Sequence, residues 1–255
     1  MGKIYSILSG KGGVGKTTSA INLAAALNLL GEDVLIVDAN LSTPNIGLHL
    51  GAPIVPVTLN HVLDGRADVA DAIYEHESGI KILPSSLSIK ELRKINHNNL
   101  VDISKELKKL ADYVLLDSSA GLGIEAESSI NACDEIILIT QAEMPAITDT
   151  LKASKLADYL NKNIKGFIIT RHQARRTEMP LSNIKEMLEI PHLGTVPEDK
   201  NMQKALVLKD AIIHTHPRSR ASKAYNEIAK KFLGAQYAKK QQEEKKSFWQ
   251  RIFGR

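Results

Sequence analysis

Cysteine, aromatic side chains and long apolar runs are all scarce in this chain of 255 residues. A single cysteine, Cys133, excludes an intramolecular disulfide and fits a reducing compartment such as the cytoplasm. No apolar run approaches the ~20 residues that a transmembrane helix needs. The first apolar run ends at Ser9, too early for the core of a secretory signal. Aromatic residues make up 4% of the chain, with one tryptophan and four phenylalanines, so their placement carries information. Trp249 and two of the phenylalanines, Phe248 and Phe253, fall in the last eight residues.

Charge of one sign is missing from the body as well. The net charge is +4, and residues 238–255 hold all of that excess, with six Lys or Arg against two Glu. The remainder balances at 27 basic against 27 acidic residues. A nucleic-acid surface spread over the body would show clustered excess charge, so it is not expected. The length suits one α/β domain with a large core, and 43% hydrophobic with 24% charged residues is ordinary for a globular chain.

Against these absences stands one dense feature, Gly10-Lys11-Gly12-Gly13-Val14-Gly15-Lys16-Thr17-Thr18. A glycine, four residues and then Gly-Lys-Thr is the phosphate-loop pattern. Glycines let backbone N–H groups turn toward phosphate oxygens, and a helix starting there points its positive end at the same anion. Lys16 is expected to reach the β- and γ-phosphates, and the Thr17 hydroxyl to hold Mg²⁺. The flanks agree, with a strand expected over 3–9 and a helix over 17–30.

Apolar, β-branched runs alternate with helical patterns, which predicts one domain over 1–236 with a mostly parallel sheet covered by helices on both faces. Strands are expected at 3–9, 33–38, 80–83, 113–117, 135–140, 165–170 and 192–195. Helices are expected at 17–30, 97–111, 145–162, 181–189 and 218–233. Strand order does not follow from this pattern. Asp38 and Asp117 each close an apolar strand, where ligand-facing residues sit in open α/β sheets.

The loop with its second lysine, Lys11, resembles the deviant Walker A box of the MinD/ParA family of dimeric ATPases. The resemblance implies an ATP- and Mg²⁺-binding hydrolase in which Lys11 reaches the nucleotide of a second subunit. The single cysteine sets the chain apart from the relatives that share an iron–sulfur cluster across the dimer. The resemblance also implies a Walker B role for Asp117, holding Mg²⁺ through water, and a first-switch role for Asp38. Where the family reads Asp-x-Asp, this chain reads Asp38-Ala39-Asn40. Asparagine can accept a hydrogen bond from water but not its proton, so slow turnover is expected. Val196-Pro197-Glu198-Asp199 resembles the loop that packs on adenine. Thr170-Arg171 stands in place of the family's Asn-Arg pair, which weakens the expected preference for adenine.

The C-terminus adds a second theme. Residues 237–246 read as a charged linker, and 247–255 as a short amphipathic helix. At about 100° per residue, Phe248, Trp249, Ile252 and Phe253 share an arc of roughly 140°. Lys246, Gln250, Arg251 and Arg255 lie outside that arc, and only Lys245 breaks the pattern. A basic, aromatic amphipathic helix suits the interface of an anionic bilayer, and this one resembles the membrane-targeting sequence of the MinD branch. The expectation is a homodimer formed with ATP, peripheral on the cytoplasmic face of the membrane, with an unidentified protein activator or client. DNA binding of the ParA type is the rival reading, for which Arg171, Arg175 and Arg176 would supply charge. A scaffold that binds ATP and barely cleaves it is a third.

Overall fold

The computed structural model describes residues 2–52, 54–92 and 96–238. The linker from Lys239 onward and the aromatic helix at 247–255 lie outside the described residues.

Eight strands form one sheet among the described residues: β1 (Lys3–Ser9), β2 (Val34–Ala39), β3 (Tyr74–Glu75), β4 (Lys81–Leu83), β5 (Tyr113–Ala120), β6 (Glu135–Thr140), β7 (Asn163–His172) and β8 (His192–Pro197). Their order is β3-β4-β2-β5-β1-β6-β7-β8, and only the β3–β4 pair is antiparallel. Seven helices have seven or more residues: α1 (Lys16–Leu29), α2 (Ser104–Leu110), α3 (Ile124–Ala132), α4 (Met144–Tyr159), α5 (Leu181–Leu188), α6 (Asn201–Val207) and α7 (Arg220–Leu233).

The central strands are buried on both faces, which is why they read as unbroken apolar runs. Successive side chains point to opposite faces of a strand. In β1, Tyr5 and Ile7 join the core under α1 and α7, while Ile4 and Leu8 join the core under α2, α3 and α4. The chain thus leaves β1 along one face and β5 along the other. A crevice opens at the carboxyl ends of such adjacent strands, where open α/β sheets bind ligands.

Three of the few aromatic residues close the opposite end of the sheet. Phe232 meets Tyr5 edge-on at 4.7 Å and Tyr113 at 5.7 Å. The Tyr113 hydroxyl donates to Gln236 Oε1 at 2.7 Å, so the chain reaches residue 236 at the end remote from the phosphate loop.

The expected helix at 97–111 is two pieces, Asn99–Asp102 and Ser104–Leu110. Helix α3 was not expected. It buries Ala126, Ser128, Ser129 and Ile130, a small and polar set that draws no apolar stripe. Its place is fixed from outside, through contacts such as Ser129 with the Ser6 hydroxyl at 2.9 Å.

Candidate nucleotide site

The phosphate loop joins β1 to α1. Gly10 is required by packing, because a Cβ there would sit 2.2 Å from the Asp149 carbonyl oxygen of α4. Gly15 caps α1 in the left-handed conformation at φ 88°, with no side chain bonded to the first turn. The first N–H groups of α1 therefore stay open for an anion. The Ser9 hydroxyl donates to the Lys11 carbonyl at 3.0 Å, and the Gly121 N–H donates to the Ser9 carbonyl at 3.1 Å. These bonds fix the loop between β1 and the segment after β5.

Lys16, Thr17 and Asp117 converge as the loop pattern requires. Lys16 Nζ donates to Asp117 Oδ1 at 2.7 Å, and Thr17 Oγ1 donates to Asp117 Oδ2 at 2.6 Å. Lys16 and Asp117 are both buried. Both oxygens of Asp117 are therefore held by the two groups that a nucleotide and its metal would engage. Mg²⁺ takes one or two protein oxygens and completes its shell with phosphates and water, and Thr17 with Asp117 meets that demand.

Asp38 lies in register with Asp117 on the neighbouring strand β2 and is fully buried. Its Oδ2 accepts from the N–H groups of Asn45 and Ile46, each at 2.9 Å, while Oδ1 has no hydrogen-bond partner among the described residues. Burial, and then the nearby Asp117 carboxylate, push its pKa up to about 8. Two facing carboxylates and one unsatisfied oxygen are what a divalent cation would relieve. The donor set fits Mg²⁺.

A cavity of about 320 Å³ is lined by Lys11, Gly12, Gly13, Lys16, Thr17, Thr18, Asn40 and Arg171, among others. Lys11 is exposed on it. Asn40 spends both ends of its amide locally: Nδ2 donates to the Thr43 carbonyl at 2.6 Å, and Oδ1 accepts from the Thr43 hydroxyl at 3.1 Å.

A second cavity of about 240 Å³ adjoins it, lined by Thr170, Arg171, Val196, Pro197, Glu198 and Asp199 with Thr18, Met202 and Tyr225. The segments expected to meet adenine do come together here. The Thr170 hydroxyl, however, faces the Val14 carbonyl at 2.5 Å and the Thr140 carbonyl at 3.1 Å. Its one proton is committed to the backbone, so it can accept from an exocyclic amine but not donate to a ring nitrogen. Asp199 is a structural residue: its carboxylate accepts from the N–H groups of Asn201 at 2.9 Å and Ala221 at 3.2 Å. Burial pushes its pKa up, but these N–H groups outweigh burial and hold it below the usual range.

Sequence reading missed His49, Asn45, Met202 and Arg171's backbone. Arg171 sits at φ 52°, a conformation that nothing in the residue type announces.

Comparison with known proteins agrees with this geometry. The model of an AAA domain family matches residues 2–167. An uncharacterised ATP-binding protein of Methanocaldococcus jannaschii is 36% identical over 98% of this chain and 96% of its own length. The septum site-determining protein MinD of Thermotoga maritima is 30% identical over 92% of this chain and 89% of its own. The structure of MinD from Pyrococcus horikoshii, complexed with Mg-ADP, superposes with a TM-score of 0.88 at 33% identity. It covers 92% of this chain and 97% of that one. A buried Lys16–Asp117 pair, with the Thr17 hydroxyl on the same carboxylate, on a chain with these relatives leaves one assignment: the chain belongs to the MinD/ParA family of deviant Walker A ATPases and is a P-loop, Mg²⁺-dependent ATP hydrolase.

Proposed function

We propose that ATP binding drives this chain to dimerise, and that the dimer attaches reversibly to the cytoplasmic face of the membrane to position division or surface machinery. The observation that carries the reading is the basic, aromatic tail sequence, in which helical spacing would place Phe248, Trp249, Ile252 and Phe253 on one face with Arg251 outside it. Among the described residues no helix is long and apolar enough to cross a membrane. Attachment then falls to the tail.

The site residues take these roles. The amides of Gly10 to Gly15 and the start of α1 hold the phosphates. Lys16 leaves Asp117 to pair with the β- and γ-phosphates. Thr17 and Asp117, with Asp38 beside them, serve the metal, which neutralises charge on the oxygens of the transferring group. Lys11, exposed on the cavity, is free to meet the nucleotide of a partner subunit. Leu122, Ile124 and Met144 stand exposed just after the carboxyl ends of β5 and β6, and an apolar surface there suits a partner face.

Residue 236, ahead of the tail, lies at the end of the sheet remote from the phosphate loop, and in this reading dimerisation is the link between nucleotide and tail. Four partly inserted apolar side chains at ~1–2 kcal/mol each, less the ordering of the segment, make a marginal anchor. Two anchors on one dimer gain roughly 100-fold in avidity. Sedimentation with anionic liposomes tests this. The parent is expected to pellet with ATP and not with ADP, while a 248–255 deletion and Lys11→Ala stay in the supernatant under both. Equal pelleting of all samples sinks the reading.

Turnover is proposed to be slow, because the Asn40 amide cannot take a proton and is held by Thr43. Asn40→Asp is expected to raise the steady-state rate of ATP cleavage several-fold. A parent rate already equal to that of the aspartate variant counts against slow turnover and against this role for Asn40.

Arg171 near the end of β7 and Arg175 and Arg176 just after it are exposed, which is what keeps a DNA-partitioning role as the second reading. An ATP-dependent, salt-sensitive mobility shift of DNA would favour it.

A further inference from the structure

One wall of the phosphate cavity is built by a segment that the loop pattern does not include. The N–H groups of Asn45 and Ile46 hold Asp38 and start a single helical turn, Ile46–His49. At its end His49 opens onto the cavity shared by Lys11, Lys16, Thr17 and Asn40. The same imidazole lines the adjoining groove with Thr18, Asn22 and Asp210.

The chemistry of the lining singles it out. Lys11, Lys16 and Arg171 are cations, the hydroxyls of Ser9, Thr17, Thr18 and Thr43 are weak bases, and Asn40 and Asn45 carry amides. Asp38 and Asp117 are fully buried and do not line the cavity. Among the described lining residues, His49 alone is a proton acceptor suited to near-neutral pH.

Resting on the reading of this cavity as the γ-phosphate site, we propose that His49 orients the attacking water of ATP cleavage and takes its proton, the task that Asn40 cannot perform. The water oxygen forms a bond to the γ-phosphorus while the bond from phosphorus to the bridging oxygen breaks. That electron pair leaves on ADP, and the proton passes from water through the imidazole to solvent. The products are ADP, inorganic phosphate and one proton. Phosphoryl transfer proceeds through a loose transition state, so the larger share of the effect is positioning.

Several charges face the imidazole. Lys11 and Lys16 stand on the phosphate loop, Arg171 on β7 and Asp210 ahead of Ile212–Thr215. The stem of Lys209 packs beside Gly51, two residues on from His49. Burial lowers the His49 pKa, and the Asp117 charge opposes it. The net shift is downward, so the ring is neutral and able to accept at pH 7.

Single-turnover cleavage of γ-labelled ATP with Mg²⁺ tests the assignment, comparing the parent, His49→Ala and His49→Gln from about pH 5.5 to about pH 8. The parent rate is expected to fall toward the acid end of that range. His49→Ala loses at least ~10-fold at the upper end and shows no such fall. His49→Gln, which accepts a hydrogen bond but does not titrate, regains part of the rate with a flat profile. Affinity for a fluorescent ATP analogue stays parental in both variants and is lost in Lys16→Ala. A His49→Ala protein with parental rate and pH profile overturns the proposal. So does a loss of affinity that matches its loss of rate, or a parent that cleaves nothing in a single turnover. If Lys16→Ala keeps its affinity, the placement of phosphate in this cavity is what fails.

Discussion

Lys16→Ala is expected to weaken ATP binding by roughly 100-fold or more and to cut cleavage by at least ~10³-fold. The side chain has two roles that the substitution removes together. With nucleotide it supplies a charge-assisted contact to the phosphates, and without nucleotide it neutralises Asp117 through a 2.7 Å contact between buried groups. Breaking a buried pair by deleting one partner costs about 3–5 kcal/mol when the survivor stays charged. Asp117 retains the Thr17 hydroxyl on Oδ2, which limits the loss. The variant should therefore melt below the parent. Titration with a fluorescent ATP analogue and thermal melts check both parts. Parental affinity in the variant would remove Lys16 from the phosphate site.

Asp38 predicts a pH dependence of stability in buffer free of nucleotide and magnesium. Its pKa in the folded protein is about 8, against about 4 for an unfolded aspartate. Between those values the native state holds a proton that the unfolded chain has released, so raising the pH favours unfolding. The contribution is complete below about pH 4, is lost progressively as the pH rises to about 8, and is level beyond. Its slope is at most ~1.4 kcal/mol per pH unit. Asp38→Asn should flatten the curve, because its amide oxygen can still accept from Asn45 and Ile46 and never ionises. Urea midpoints across that range read the effect directly. Identical slopes for parent and variant would show that Asp38 ionises normally.

Much of the fold was legible because burial on both sheet faces demands apolar, β-branched runs, and five of the seven long helices fall on expected segments, α3 and α6 being the two that do not. Helix α6 has one buried side chain, Ala205, too little to print a stripe on the sequence. Helix α3 failed for the converse reason, since serine and alanine can be buried where a neighbour supplies the partner, as Ser6 does for Ser129. The adenine side was legible in place and not in detail. Thr170 stands in the right cavity, yet its proton goes to a backbone carbonyl, and Asp199 turned out to brace the N–H groups of Asn201 and Ala221. Hydrogen-bond commitments of this kind depend on which carbonyls and amides lie nearby, and residue types do not state them.

By itself the sequence determined the phosphate loop, because its conformation is local. The left-handed glycine, the open start of α1, Lys16 and Thr17 all lie within a few residues of one another. It likewise set the amphipathic character of the tail, a matter of spacing alone. Only the tertiary structure decided what those local pieces face. Lys16 meets Asp117 across 101 residues of chain, Asp38 pairs in register with Asp117 because β2 lies beside β5, and His49 enters the cavity because the amides before it are fastened to Asp38. Those meetings follow from strand order, which long-range packing selects and no periodicity encodes.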